Sequence, residues 1–209
     1  MQIVHHPDVT TIMTCSAGSQ PEALCAVVTS HLSMCPECMR ELSLLEEIGV
    51  SLFECSVADA TVAESKPPSI ADGIDQIREM PPYPTKGDVP WPLIPVLGGH
   101  HLDSIEWTEI RSGISTYPIE LSPDATGDLR LLRLEPGARL PEHGHLGEEL
   151  TLVLRGSCSD EGGAYVVGDM ADLDDETRHS VVPGDQGCIL LIASEMKPPF
   201  LSQPEQVGS

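Results

Sequence analysis

Two hundred and nine residues, 40% hydrophobic and 21% charged, suit a folded chain of one large domain or two small ones. Eleven Lys and Arg stand against 33 Asp and Glu, a net charge of −22. Phosphate backbones and anionic membrane surfaces attract the opposite sign, so direct contact with either is disfavoured; a basic protein partner, by contrast, would be steered in by this field.

No apolar run reaches the roughly 20 residues that span a bilayer. The start, Met1-Gln2-Ile3-Val4-His5-His6-Pro7-Asp8, lacks the cationic and hydrophobic regions of a secretory signal, so a cytoplasmic protein is expected. Thiols stay reduced there, and the seven cysteines are not expected to form a disulfide framework. Metal binding, redox chemistry or burial remain for them.

From Thr11 to about Phe53 apolar residues recur at helical spacing. Leu24, Val27, Val28, His31 and Leu32 fall on one face, and Leu42, Leu45, Ile48, Gly49 and Leu52 repeat the pattern. A shorter helix is expected from Ser69, a cap candidate, to Met80. The negative charge is spread along the chain: residues 1–90 hold 4 basic and 13 acidic groups, and residues 91–209 hold 7 and 20. Neither half hides a basic module.

Pro81, Pro82, Pro84, Pro90, Pro92 and Pro95 then read as an extended linker. Beyond it the hydrophobic period changes to two. Strands are expected at Ser112–Leu121, Leu129–Leu134, Glu149–Arg155, Ala164–Val167 and Cys188–Ala193, separated by Gly and Pro at positions such as Gly156, Gly168 and Pro183-Gly184. Many short, evenly spaced strands indicate a sandwich or barrel. Ser202–Ser209 reads as a frayed tail. The fold class is α plus β, divided as a helical unit at 1–80, a linker at 81–95, a β-domain at 96–197 and a tail at 198–209.

Two constellations carry chemistry. His31, Cys35 and Cys38 sit at i, i+4 and i+7, one face of a helix or of a helix broken near Pro36. One imidazole and two thiolates make three corners of a tetrahedral zinc site. His5, His6, Cys15 and Cys25 are candidates for the fourth. A closed site would contribute its binding energy to folding a small helical unit. A redox dithiol is the competing reading of Cys35 and Cys38, but no thioredoxin-like strand precedes them. Cys15, Cys25, Cys55, Cys158 and Cys188 have no such spacing and are read as buried. In the second half, His143 and His145 project together from a strand, and Glu149 shares their parity while Glu148 does not. Two imidazoles and a carboxylate suit Zn, Mn, Fe or Ni, and Leu150, Leu152 and Leu154 mark the opposite face as buried.

His6 followed by His31-Leu-Ser-Met-Cys35-Pro-Glu-Cys38 resembles the zinc-binding anti-sigma domain. In that family an early His and His-x3-Cys-x2-Cys hold zinc in a helical bundle that wraps an extracytoplasmic-function sigma factor. The resemblance implies His6, His31, Cys35 and Cys38 as zinc ligands. The run from Gly137 through His143, His145 and Glu149 to Gly156 is similar to the first cupin motif at every position. Gly168 and His179 have the spacing of the second motif, with Asp174, Glu176 and Pro183 where it has Pro, Gly and Asn. This implies a cupin β-barrel over about 93–197, with His143, His145, Glu149 and His179 around a second metal: zinc, or another divalent ion such as Mn, Fe or Ni.

The order of bundle, linker and single cupin resembles the ChrR family of anti-sigma factors along nearly the whole chain. The resemblance implies a cytoplasmic regulator that sequesters a sigma factor and releases it under singlet oxygen or related oxidants. It implies no enzymatic activity and leaves a homo-oligomer through the cupin open. Two rivals stand beside it. One is a cupin metalloenzyme, dioxygenase-like, with a helical appendage; a fourth ligand at His179 leaves such an enzyme less room for substrate. The other is a zinc-stabilised interaction module with an unrelated partner.

Overall fold

The computed structural model describes residues 2–57 and 87–196, with only the backbone described for 52–57. The expected helix Ser69–Met80, the first three linker prolines, the side chain of Cys55 and the tail Ser202–Ser209 lie outside these residues.

Three helices open the chain: α1 (Val9–Ser16), α2 (Glu22–Met34) and α3 (Pro36–Val57). Asp8 caps α1 by accepting from the Thr10 amide at 2.8 Å, satisfying one of the donors that a helix start leaves unpaired. The predicted face of α2 is buried throughout, Leu24, Val27, Val28 and His31 at 0% exposure and Leu32 at 3%. The face predicted for α3 is buried only at its start: Leu42 is 3% exposed, Leu45 packs against the core, and Ile48 is 57% exposed. The break between α2 and α3 follows from Pro36. Proline suits the first position of a helix and drives the preceding residue out of the helical region. Cys35 is accordingly extended, at φ −111° and ψ 102°.

Pro90, Pro92 and Pro95 are the linker prolines among the described residues, and they depart from the extended reading. They lie in or beside a 3₁₀ turn (Trp91–Leu93) and the one-turn helix α4 (Ile94–Leu97). Pro92 and Pro95 occupy first-turn positions, where a missing N–H costs nothing. Leu93 is 2% exposed and joins the core beneath α2. Arg155 clamps this segment to the sheet, bonding Asp88 and reaching Asp103 at 2.6 Å.

Eight antiparallel strands follow: β1 (Thr108–Arg111), β2 (Ile114–Pro118), β3 (Asp128–Leu134), β4 (Leu140–Gly144), β5 (Glu149–Asp160), β6 (Gly163–Val166), β7 (Met170–Leu173) and β8 (Arg178–Ser194). The sheet order is β1-β2-β3-β8-β5-β6, with β4 paired to β8 and β7 to β5. The strand expected at Ser112–Leu121 is shorter, β2 at Ile114–Pro118; Ser112 and Gly113 form the turn that joins it to β1, a strand not expected from the sequence. β8 runs straight through Pro183-Gly184, which the sequence marks as a stop, because register shifts in its ladder with β5 absorb the irregularity. Glycine is required at Gly156 (φ +73°), where a Cβ would collide with the Gly187 carbonyl of the neighbouring strand.

The strands alternate between two cores. On the outer face Leu129, Leu131, Leu150, Leu152, Leu154, Ile189, Leu191 and Ala193 pack with α2 into one cluster that also holds Cys35 and Cys38. On the inner face Leu132, Leu134, Leu140, Val153, Val181, Leu190 and Ile192 form the second. The helices and the outer sheet face thus share a single buried core.

Candidate metal centres

The helix break positions the first cluster. His31 projects from the last full turn of α2, Cys35 from the extended joint and Cys38 from the first turn of α3. The incoming segment 2–8 completes the set with His6. His6 Nδ1 lies 3.5 Å from Cys35 Sγ and 3.2 Å from Cys38 Sγ, and His31 Nε2 lies 3.3 Å from Cys38 Sγ. The other candidates for the fourth position are elsewhere. His5 points away, its Nδ1 3.5 Å from an Asp169 carboxylate oxygen and its ring 4.5 Å from that of Tyr165.

Cys15 and Cys25, expected to be simply buried thiols, are joined in a disulfide between α1 and α2 with Cα atoms 5.3 Å apart, within the range a disulfide needs. The tight connection at residues 17–21 places the end of α1 beside the start of α2. This corrects the expectation drawn from cysteine usage. Cys158 and Cys188 are buried and free, as expected.

His31 is fully buried and its Nδ1 faces the Gly168 carbonyl at 2.9 Å. Only a protonated Nδ1 can bond there, so Nε2 carries the lone pair that faces the thiols. Burial lowers the His31 pKa to about 4, which keeps the ring neutral and able to ligate. Burial, with Cys35 next to it, raises the Cys38 thiol well above its ordinary value; a bound cation would remove that penalty on the thiolate.

The second cluster lies inside the barrel. His143 comes from β4, His145 from the loop after it, Glu149 from the start of β5 and His179 from the start of β8. Glu149 shares the inward face of β5 with Val153, and His179 that of β8 with Val181. One donor atom from each of these four residues lies within 4.8 Å of the others, and the same holds for His6, His31, Cys35 and Cys38. His143 Nδ1 donates to the Pro141 carbonyl at 2.9 Å, and His179 Nδ1 to Asp160 Oδ2 at 2.9 Å. His145 Nδ1 is 3.2 Å from Glu149 Oε2. The Nε2 atoms of His145 and His179 are buried and accept no hydrogen bond from any described group. A buried nitrogen without a partner costs about 1–3 kcal/mol, and a cation would satisfy both. The donor sets therefore fit metal at each cluster: two thiols and two imidazoles suit zinc, and three imidazoles with a carboxylate suit a borderline divalent ion.

A family model described as the ChrR cupin-like domain matches residues 99–197. The anti-sigma-E factor ChrR of Cereibacter sphaeroides is 32% identical over 199 residues, covering 93% of this chain and 91% of that protein. The chain belongs to the ChrR family. A crystal structure of Rhodobacter sphaeroides SigE in complex with the anti-sigma ChrR matches over 92% of this chain and 99% of that one, at 30% identity and a TM-score of 0.74. The similarity to ChrR spans helices and sheet together. The sequence missed Asp160, which accepts from His179 Nδ1, and Tyr165 and Asp169, which flank His5. Their partners are distant in the chain, and no spacing rule links them.

Proposed function

We propose that this chain is an anti-sigma factor whose helical part binds an extracytoplasmic-function sigma factor and keeps it from RNA polymerase. The observation that carries the reading is likeness along the whole length, through both the helices and the cupin-like part, to anti-sigma ChrR proteins. The exposed apolar row Leu44 and Ile48 on α3, with Val9 and Met13 on α1, supplies unpartnered surface of the kind a protein partner covers. The net charge of −22 speaks for a basic protein and against nucleic acid. No helix among the described residues is long and apolar enough to cross a membrane; a protein that captures sigma works in the cytoplasm.

His6, His31, Cys35 and Cys38 hold zinc and pin the joint between α2 and α3 to segment 2–8. His143, His145, Glu149 and His179 hold zinc or another divalent ion inside the barrel. Each cation, when bound, supplies a fixed positive charge that keeps its ligands deprotonated and their geometry set. His179 is oriented by Asp160 and His31 by Gly168. Release of sigma follows oxidative stress, singlet oxygen or a related oxidant, perceived at the barrel. This last step rests on family resemblance. An enzyme reading is disfavoured because the relatives alike over the full chain are regulators.

The test is copurification with a co-expressed extracytoplasmic-function sigma factor from the same organism, then transcription in vitro. The expected result is a one-to-one complex and loss of sigma-dependent transcripts. Undiminished transcription with the chain in excess would defeat the reading.

A further inference from the structure

Between the two clusters runs a chain of contacts, most of them polar and partly buried. It begins at His179, whose Nδ1 donates to Asp160 Oδ2 at 2.9 Å, both side chains being 5% exposed. The Tyr165 hydroxyl lies beside the same carboxylate: a Cβ built at Gly162 would meet the hydroxyl at 2.7 Å and Asp160 Oδ1 at 3.2 Å, and burial together with Asp160 pushes the Tyr165 pKa up to about 12. The Tyr165 ring stands 4.5 Å from His5, the neighbour of His6 in the chain. The His5 amide donates to Asp169 Oδ1 at 3.0 Å, and its carbonyl accepts from the Met170 amide at 3.1 Å. Val4 and Val166 amides donate to the same Asp169 carboxylate at 2.7 and 2.8 Å. The preceding residue, Gly168, accepts from His31 Nδ1 at 2.9 Å. The short connection between β6 and β7 therefore grips the chain at His31 of the first cluster and at Val4 and His5, just before His6, and Tyr165 on β6 reaches the residue that orients a histidine of the second.

Position 168 shows how tightly this connection is built. Its φ is +94°, strained for any side-chain-bearing residue, and a Cβ there would lie 2.6 Å from Ile3 Cδ1 and push on segment 2–8. Asp169 is 1% exposed and Tyr165 8%. Hydrogen bonds so shielded from water are strong, and close-packed surroundings do not deform gradually.

We propose that the two metal sites are thermodynamically linked through Asp160, Tyr165, His5 and the Gly168–Met170 connection. Filling the barrel site tightens the grip of His6, His31, Cys35 and Cys38 on their own metal, and by reciprocity the converse. His179, once ligating through Nε2, binds Asp160 more firmly through Nδ1. Asp160 then fixes Tyr165, and Tyr165 fixes the ring of His5. Less ordering of segment 2–8 is left for His6 to undergo when it ligates, so the second binding event costs less entropy. This inference rests on reading the two clusters as metal sites.

The experiment uses the full-length chain without sigma. Cobalt(II) bound to thiolates absorbs in the near ultraviolet and so reports the Cys35–Cys38 site alone. Its affinity is read by competition with a chelator, at barrel sites either loaded with zinc or disabled by His145→Ala. The expected result is about five-fold or more weaker cobalt binding when the barrel is disabled. Tyr165→Phe keeps all eight candidate ligands and the ring but removes the hydroxyl that lies beside Asp160. With its barrel loaded, it should bind cobalt as weakly as the disabled form. In the reciprocal arm, Cys38→Ser should weaken barrel affinity by the same factor. If His145→Ala does not fold, Tyr165→Phe against the native chain decides alone. Native and Tyr165→Phe affinities within two-fold of each other overturn the linkage and leave the two sites standing. Failure of either cluster to bind cobalt or zinc overturns the linkage together with the metal reading.

Discussion

His5 and His6 are adjacent and chemically identical, yet the fold gives them different work. His6 meets two sulfurs, while His5 meets Tyr165 and Asp169. His6→Ala should therefore lower bound zinc by about one equivalent at saturation, and His5→Ala should leave the stoichiometry unchanged, as measured by elemental analysis. Spacing alone could not choose between them: His6 meets cysteines 29 and 32 positions on, and His5 is turned away by partners about 160 positions away. Glu149 shares the parity of His143 and His145 in the sequence, but a loop at residues 145–148 separates β4 from β5, so parity is not what brings them together. Glu149 reaches the cluster because it begins β5 on the inward face. His31 makes a pH prediction for the metal-free chain. Its folded pKa is about 4 and an unfolded histidine has about 6.5. Between these values the unfolded chain takes up a proton that the folded chain refuses. Stability should thus fall as pH drops from 6.5 to 4, by on the order of 3 kcal/mol from this group. Denaturant titrations of chelator-treated protein at stepped pH would show it, and a flat profile would contradict it.

Among the elements, α2 was the most legible, since a helix buried along one stripe writes a clear 3.6-residue period. That stripe is also where substitution costs most. Leu24→Ala leaves a cavity between α2 and the outer sheet face and should cost about 2–5 kcal/mol in unfolding free energy. Ile48→Asp, on the exposed part of α3, should change stability by less than about 0.5 kcal/mol and weaken capture of sigma in a pulldown. Unchanged capture would move the binding surface off α3. The elements that sequence reading misplaced have a common cause. β1, β4 and β7 are four or five residues long, too short for a period to register. The beginning of β8 is masked by Pro183, Gly184 and Gly187, which mark turns elsewhere and here sit in an irregular ladder. The link between Cys15 and Cys25 depends on how two helices meet, and ten residues of spacing carry no trace of that.

For the molecule as a whole, the two motifs announced the two halves, but not how they join. The sequence reads as bundle, linker and barrel; the structure packs α2 on the outer sheet face in one core and wedges segment 2–8 beside the turn after β6. A change at the barrel interior therefore has a short path to the helices. His143→Ala should retain repression of sigma-dependent transcription in unstressed cells and blunt its induction by singlet oxygen, measured with a reporter gene. Full induction in that variant would remove the barrel cluster from the response.

The wedging of segment 2–8 also bears on how the protein should be handled. An amino-terminal polyhistidine fusion would set spare imidazoles within a few residues of His6 and load a stretch that is packed against Gly168. Preparations made that way should show scrambled metal content. A purification handle at the other end of the polypeptide avoids both faults.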